Sequence, residues 1–181
     1  MPLPTVVHSQ VDPAAITKVT RLFNNTLGSI LTELIQNARR AGATTVDLDV
    51  AEADDRQWLV IADDGAGIAD PAVILALGRS GWDDDIAARE DPAGMGVFSL
   101  AGRDVEIRSR PRAGGDAWRI SIAPGDWETG GPIPVYRCDH RFGTEIRLPL
   151  QDDWAKSLEA SANAAARYCP TPIRFKGAPL A

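Results

Sequence analysis

From Leu27 to Ala41 the apolar residues Leu27, Ile30, Leu31, Leu34, Ile35, Ala38 and Ala41 recur three and four positions apart. At roughly 100° per residue this spacing is one continuous stripe. The segment is therefore a helix that must lay one face on another layer, and Gly42 stops it. The next residues supply that layer. Thr45 to Val50 alternates, with Val46, Leu48 and Val50 against Asp47 and Asp49, the pattern of a half-buried strand. Ala51 to Arg56 reads as a polar turn, and Trp58 to Ala62 as the apolar run of a more deeply buried strand. A striped helix beside a strand pair sets a two-layer frame.

The rest of the chain extends that frame. Residues 1–11 read as an irregular or extended N-terminal arm. Asp12-Pro13 caps and opens a helix to about Phe23, which Asn24-Asn25 interrupts. Asp70-Pro71 starts a short helix that Gly78 ends. Residues 79–93 are rich in Gly, Asp and Arg without a period, as in a functional lid or a disordered stretch. Gly94 to about Ala101 reads as a glycine turn feeding a helix. Strand candidates follow at 104–109, 117–122, 133–137 and 144–149, the first two joined by the turn Pro111 to Asp116. A last helix spans about Asp152 to Tyr168, and Ile173-Arg174-Phe175 opens another strand. The expected class is α+β: a two-layer sandwich whose mixed, mostly antiparallel sheet carries helices on one face. At 181 residues the chain is read as a single domain, 1–181.

Composition narrows the partners. Twenty-five acidic against nineteen basic residues give a net charge of −6, which argues against a surface that coats nucleic acid. Arg103, Arg108, Arg110 and Arg112 are one candidate basic patch, with a solvated strand face and turn as the favoured reading. Cys138 and Cys169 are far apart and make no C-x-x-C pair, so neither a disulfide framework nor a zinc site is expected. No signal peptide and no run of about 18 apolar residues is visible. The expected location is the cytoplasm, with no membrane partner.

Four short motifs carry the chemistry. Glu33 and Asn37 are four apart, hence neighbours on the helix at the border of its apolar stripe. Asn37 offers an amide oxygen, a hard ligand suited to Mg²⁺, and Glu33 can orient and deprotonate a water. The alternatives are a surface amide and a solvated glutamate. Asp63 ends a buried strand before Gly65-Ala66-Gly67. A carboxylate there can accept a hydrogen bond from the amine of adenine and rejects the carbonyl of guanine. The alternative is an Asx-turn that only shapes the loop. Gly94-Met95-Gly96-Val97-Phe98 precedes a helix, where close backbone approach and free N–H groups can cradle phosphate, unless it is simply a glycine turn. Thr144, after Gly143, can place a hydroxyl near Asp63 and the base, or be an ordinary β-branched strand residue. Walker A and G-x-G-x-x-G loops are absent.

In this order the motifs resemble those of the GHKL ATPases, the superfamily of the DNA gyrase B subunit, heat-shock chaperones, histidine kinases and MutL. Glu33-Leu34-Ile35-Gln36-Asn37-Ala38, continuing to Ala41-Gly42-Ala43-Thr44, resembles the N-box. Asp63-x-Gly65-x-Gly67-Ile68 resembles the first glycine box, Gly94-x-Gly96-Val97-Phe98-Ser99 the second, and Gly143-Thr144-Glu145-Ile146 the last. The resemblance implies the Bergerat ATP-binding fold with ATP and Mg²⁺ as cofactors. It implies adenine on Asp63, with Ala41, Gly65, Gly67, Ile68 and Thr144 around it. It also implies Mg²⁺ on Asn37, phosphates on the backbone of Gly94, Met95, Gly96, Val97 and Phe98, and Glu33 as general base. Residues 79–93 would be the ATP lid, closing through Ser80 and Gly81, and such closure commonly gates turnover.

Two features depart from the family pattern. Arg40 stands where many members carry an acid. Gyrase-like and chaperone-like members also take a phosphate-sensing Lys or Arg from a following domain, into which residues 170–181 would lead. The expectation is an ATPase that binds ATP or ADP and hydrolyses ATP slowly, as the N-terminal part of a larger machine. It would depend on a further domain or partner and dimerise with ATP in the full-length protein; client and nucleic-acid partners stay undefined. A histidine kinase catalytic domain is the second reading, against which Glu33 and the gyrase-like second box count. A non-hydrolysing ATP sensor is the third, and Glu33 counts against that too.

Overall fold

A computed structural model of the chain describes residues 2–9, 26–75 and 100–180. The striped helix is α1, Leu27–Arg40. Thr26 caps it by accepting the Ser29 N–H at 3.2 Å, and Arg39 and Arg40 complement the dipole in its last turn. Ala41 closes it, and Gly42 leaves it at φ +72°. Strands β2 (Val46–Ala53) and β3 (Arg56–Asp63) follow. The six-residue turn expected between them is only two residues long. Asp54 and Asp55 sit at φ 53° and 57°, the left-handed pair that a tight hairpin needs and that Asp tolerates. Ladder pairing therefore continues through Ala53 and Arg56.

Helix α2 (Ala72–Leu75) precedes β4 (Val105–Arg110) and β5 (Trp118–Ile122). Next come α3 (Asp126–Thr129), β6 (Pro132–Pro134), β7 (Tyr136–Arg137), β8 (Gly143–Pro149) and α4 (Asp152–Ala166). The last described strands are β9 (Ile173–Phe175) and β10 (Ala178–Pro179). The strand expected over 133–137 is split. Its first part, β6, pairs with β1 (Val6–His8) of the N-terminal arm, and its second part, β7, joins β5. Pro132 and Pro134 lack the N–H of a central strand, so β6 suits a small separate ladder. The helices expected over 12–23 and 94–101 fall mainly outside the described residues.

The main sheet has the order β10-β9-β2-β3-β8-β4-β5-β7. Its described ladders are antiparallel except β2 with β9. Alternation decides the two faces. Val46, Leu48, Leu59, Ile61, Ile107, Trp118, Ile120 and Leu148 face a core filled by Ile30, Leu31, Leu34 of α1 and Trp154 and Leu158 of α4. The other face carries Glu106, Arg108, Arg119, Glu145 and Arg147 in mutual ion pairs. The fold is the expected α+β sandwich. Long-range pairing sets β3 beside β8 and β8 beside β4, so Asp63 pairs with Thr144 and Thr144 with Ser109 in one row.

Candidate functional site

Paired residues of neighbouring strands project to the same face, so Asp63, Thr144 and Ser109 share the helix-covered side. Asp63 Oδ1 accepts the Gly65 N–H at 2.8 Å, and its carboxylate also accepts the Thr144 backbone N–H. The Asx-turn is thus present, and it aims the carboxylate as well as shaping the loop. Burial raises the Asp63 carboxyl above its ordinary value, and the Asp64 charge adds to this. The two amides and Arg141 pull the other way.

Asp64 behaves oppositely. Desolvation, the largest single influence, raises its carboxyl, but the Thr44 hydroxyl and the Thr45 and Thr44 amides together outweigh it and hold the carboxyl below the ordinary value. The amides lie at 2.9 and 2.7 Å, and the Thr44 hydroxyl donates to Oδ2. Asp64 therefore ties the α1–β2 connection to the end of β3.

The glycines allow backbone to meet backbone. A Cβ on Gly65 would lie 2.9 Å from Ala41 Cβ and from Ala41 O, while the Ala66 N–H donates to Ala41 O at 2.8 Å. The C-terminal end of α1 is thus docked on the loop after Asp63. Gly67, at φ +70°, leaves no room for a Cβ against the Arg110 carbonyl. Gly143, at φ +108°, leaves none against the Asp63 carbonyl. Ile68 is held on both sides: its N–H donates to Ser109 Oγ at 2.8 Å, and Trp118 Nε1 donates to its carbonyl at 2.8 Å.

On α1, Glu33 and Asn37 are half-buried at the stripe's border. The Asn37 side-chain oxygen is buried and accepts no hydrogen bond among the described residues. Among the described residues no ion pair or hydrogen bond engages the Glu33 carboxylate. An orphaned amide oxygen fits a hard cation that completes its shell with water and phosphate oxygens. Among the described residues no cluster of three or more His, Cys, Asp or Glu offers a metal another cage. Ser80, Gly81, Gly94, Met95, Gly96, Val97 and Phe98 lie outside the described residues. A cavity of about 670 Å³ between the arm, α2 and the β4–β5 turn includes none of the predicted site residues in its lining.

Residues 25–103 match the family described as histidine kinase-, DNA gyrase B-, and HSP90-like ATPase. The DNA mismatch repair protein MutL of Paramagnetospirillum magneticum is 30% identical over 129 residues, covering 66% of this chain and 20% of that protein. The chain belongs to the GHKL ATPase superfamily. MutL of Rhodopseudomonas palustris is 31% identical over 133 residues, covering 66% of this chain and 22% of its own length. This GHKL chain thus spans about a fifth of the curated relatives it matches. The crystal structure of the N-terminal domain of a DNA repair protein shares the fold, with a TM-score of 0.57 at 16% identity, over 92% of this chain and 54% of that one.

Sequence reasoning about this GHKL domain overlooked Ser109, Asp64 as an anchor, and Arg112. The Arg112 side chain donates to the carbonyls of Asp64 and Gly65, and its N–H donates to Ala66 O at 2.9 Å. Only Ser109 left a local signal. It follows Val105 and Ile107 at strand spacing on the core face, where a polar residue must have partners. Asp64 and Arg112 act across long sequence separations and left none. Among the described residues no helix is long and apolar enough to cross a membrane.

Proposed function

We propose that this domain binds ATP with Mg²⁺ and hydrolyses it slowly, as the ATPase part of a longer ATP-driven protein. One observation carries the reading: α1 ends on the loop after Asp63, through Ala66 N–H to Ala41 O. A single helix therefore presents Ala41 at the base end, then Asn37, then Glu33, in steps of about 6 Å. Base, metal and attacking water follow the same order along a nucleotide.

In this reading Asp63 accepts the adenine amine, and Ala41, Gly65, Gly67, Ile68 and Thr144 wall the base. Asn37 would hold Mg²⁺ through its orphaned oxygen, and the ion would supply charge neutralisation at the phosphates. Glu33 takes a proton from water as the water oxygen attacks the γ-phosphorus. The bond from the γ-phosphorus to its bridging oxygen breaks, and ADP and phosphate leave. The phosphate-binding role of Gly94 to Phe98 and the lid role of Ser80 and Gly81, which the family resemblance implies, are part of this proposal. The names and lengths of the MutL relatives support a place in a DNA-repair machine. ATP-dependent pairing of two copies and a phosphate sensor beyond residue 181 belong to the same proposal.

Calorimetric titration with ATP, with and without Mg²⁺, tests it alongside phosphate release by wild type and Glu33→Ala. Mg²⁺ should tighten binding, and Glu33→Ala should lower release by about 10²-fold or more while preserving affinity. Turnover retained in Glu33→Ala removes the base, and a wild type that binds no ATP overturns the reading. Binding without release would make the domain a nucleotide sensor.

A further inference from the structure

Ser109 is fully buried behind Thr144, itself only 9% exposed. Its Oγ lies 2.8 Å from Ile68 N, 3.0 Å from Gly143 O and 3.0 Å from Thr144 Oγ1. A serine hydroxyl has one proton and two lone pairs. The Ile68 N–H can only donate, so it occupies one lone pair. The Gly143 carbonyl can only accept, so it takes the proton. One lone pair remains for Thr144, and the Ser109–Thr144 bond can run in one direction: Thr144 donates. The Thr144 proton is thereby committed away from the site, and its hydroxyl can offer only lone pairs to anything else. Beside it, Asp63 also offers only oxygen lone pairs when ionised.

We propose that Ser109 is a specificity-determining positioning residue: by taking the Thr144 proton it turns the Asp63–Thr144 wall into an all-acceptor surface that selects a 6-aminopurine nucleotide over a 6-oxopurine one. This rests on the nucleotide reading above. An amine, or a water donating both protons, satisfies two neighbouring acceptors. A carbonyl meets lone pairs opposed to its own, and such a mismatch in a buried site discriminates strongly.

The test compares ATP with inosine triphosphate, which carries a 6-oxo group on the same ribose and triphosphate. General damage to the fold weakens both and cancels in their ratio. Ser109→Ala frees the Thr144 proton to meet the 6-oxo group, so the affinity ratio of ATP to inosine triphosphate should fall about tenfold. The effect should vanish on a Thr144→Val background. Thr144→Val alone removes an acceptor and should also lower the ratio, by a smaller factor. A rise with Thr144→Val would show that the hydroxyl donates to the base, and would overturn the proposal even if Ser109→Ala fails to fold. An unchanged ratio in a folded Ser109→Ala, measured by circular dichroism and melting, would do the same. A wild type that binds neither nucleotide refutes the underlying reading instead.

Discussion

The two ends of the site are built on opposite principles. At the sheet end, Asp63, Ile68, Ser109 and Thr144 are bonded to one another or to nearby backbone. Gly65, Gly67 and Gly143 let the chain close to van der Waals contact. On α1 the Asn37 oxygen is buried without a partner. Buried polar groups are normally paired, and this oxygen has no hydrogen-bond partner among the described residues. Hydrogen bonding is thus satisfied around Asp63, Ser109 and Thr144 and left open at Asn37. The adjacent carboxylates repeat the contrast: Asp63 is kept less bonded and harder to ionise, Asp64 is saturated and easier to ionise.

Substitutions can break this contrast, beginning with the rigid end. Gly143→Ala should cost the most stability. Its φ of +108° and the Asp63 carbonyl leave no place for a methyl group, and strain plus overpacking amount to about 2–4 kcal/mol. Chemical denaturation of the ligand-free protein reads this directly, and a loss below 1 kcal/mol, roughly the centre of ordinary mutational effects, would show that the junction yields. Asp63→Asn should weaken ATP binding by about 1–3 kcal/mol while raising thermal stability at neutral pH, because a desolvated charge disappears. Unchanged affinity by calorimetry would remove Asp63 as the base reader.

At the open end, Asn37→Ala should change ligand-free stability by only about 0.5 kcal/mol, since its side-chain oxygen accepts no bond among the described residues. It should nevertheless erase the Mg²⁺-dependent part of ATP affinity. Equal affinity with and without metal in the wild type would sink the ligand role.

The subtlest effect separates Asp63 from Asp64 by pH. The folded-state pKa of Asp64 is lowered, so its stabilisation is full above the ordinary value of 3.8 and is lost as pH falls through the folded pKa. That of Asp63 is raised, so its contribution is present below 3.8 and is lost as pH rises through the folded pKa. Unfolding free energies from pH 7 to 3 should therefore show the deficit of Asp64→Asn shrinking on acidification and the advantage of Asp63→Asn shrinking too. Parallel profiles for wild type and both variants would refute the opposed shifts.

Local pattern made much of this molecule legible. The stripe of α1, the alternation of β2 and the apolar run of β3 each follow from periodicity, because a helix or strand face repeats within a few residues. The Glu33–Asn37 spacing and the Asp63 and Gly143-Thr144 motifs could be read for the same reason. Turn length could not, since Asp54 and Asp55 can end strands or sit in a two-residue hairpin and only ladder pairing decides. Nor could the split of 133–137, which depends on a strand more than a hundred residues earlier.

By itself, then, the sequence determined the two-layer class, the helix that carries Glu33 and Asn37, and the family to which the motifs belong. Tertiary structure alone decided which strands became neighbours, and with them the row Asp63–Thr144–Ser109. It also decided which polar atoms ended bonded and which, like the Asn37 oxygen, ended buried with no partner among the described residues. The physical reason is range: periodicity is set by covalent geometry over a few residues, whereas hydrogen-bond satisfaction depends on atoms that meet only when the chain has closed on itself.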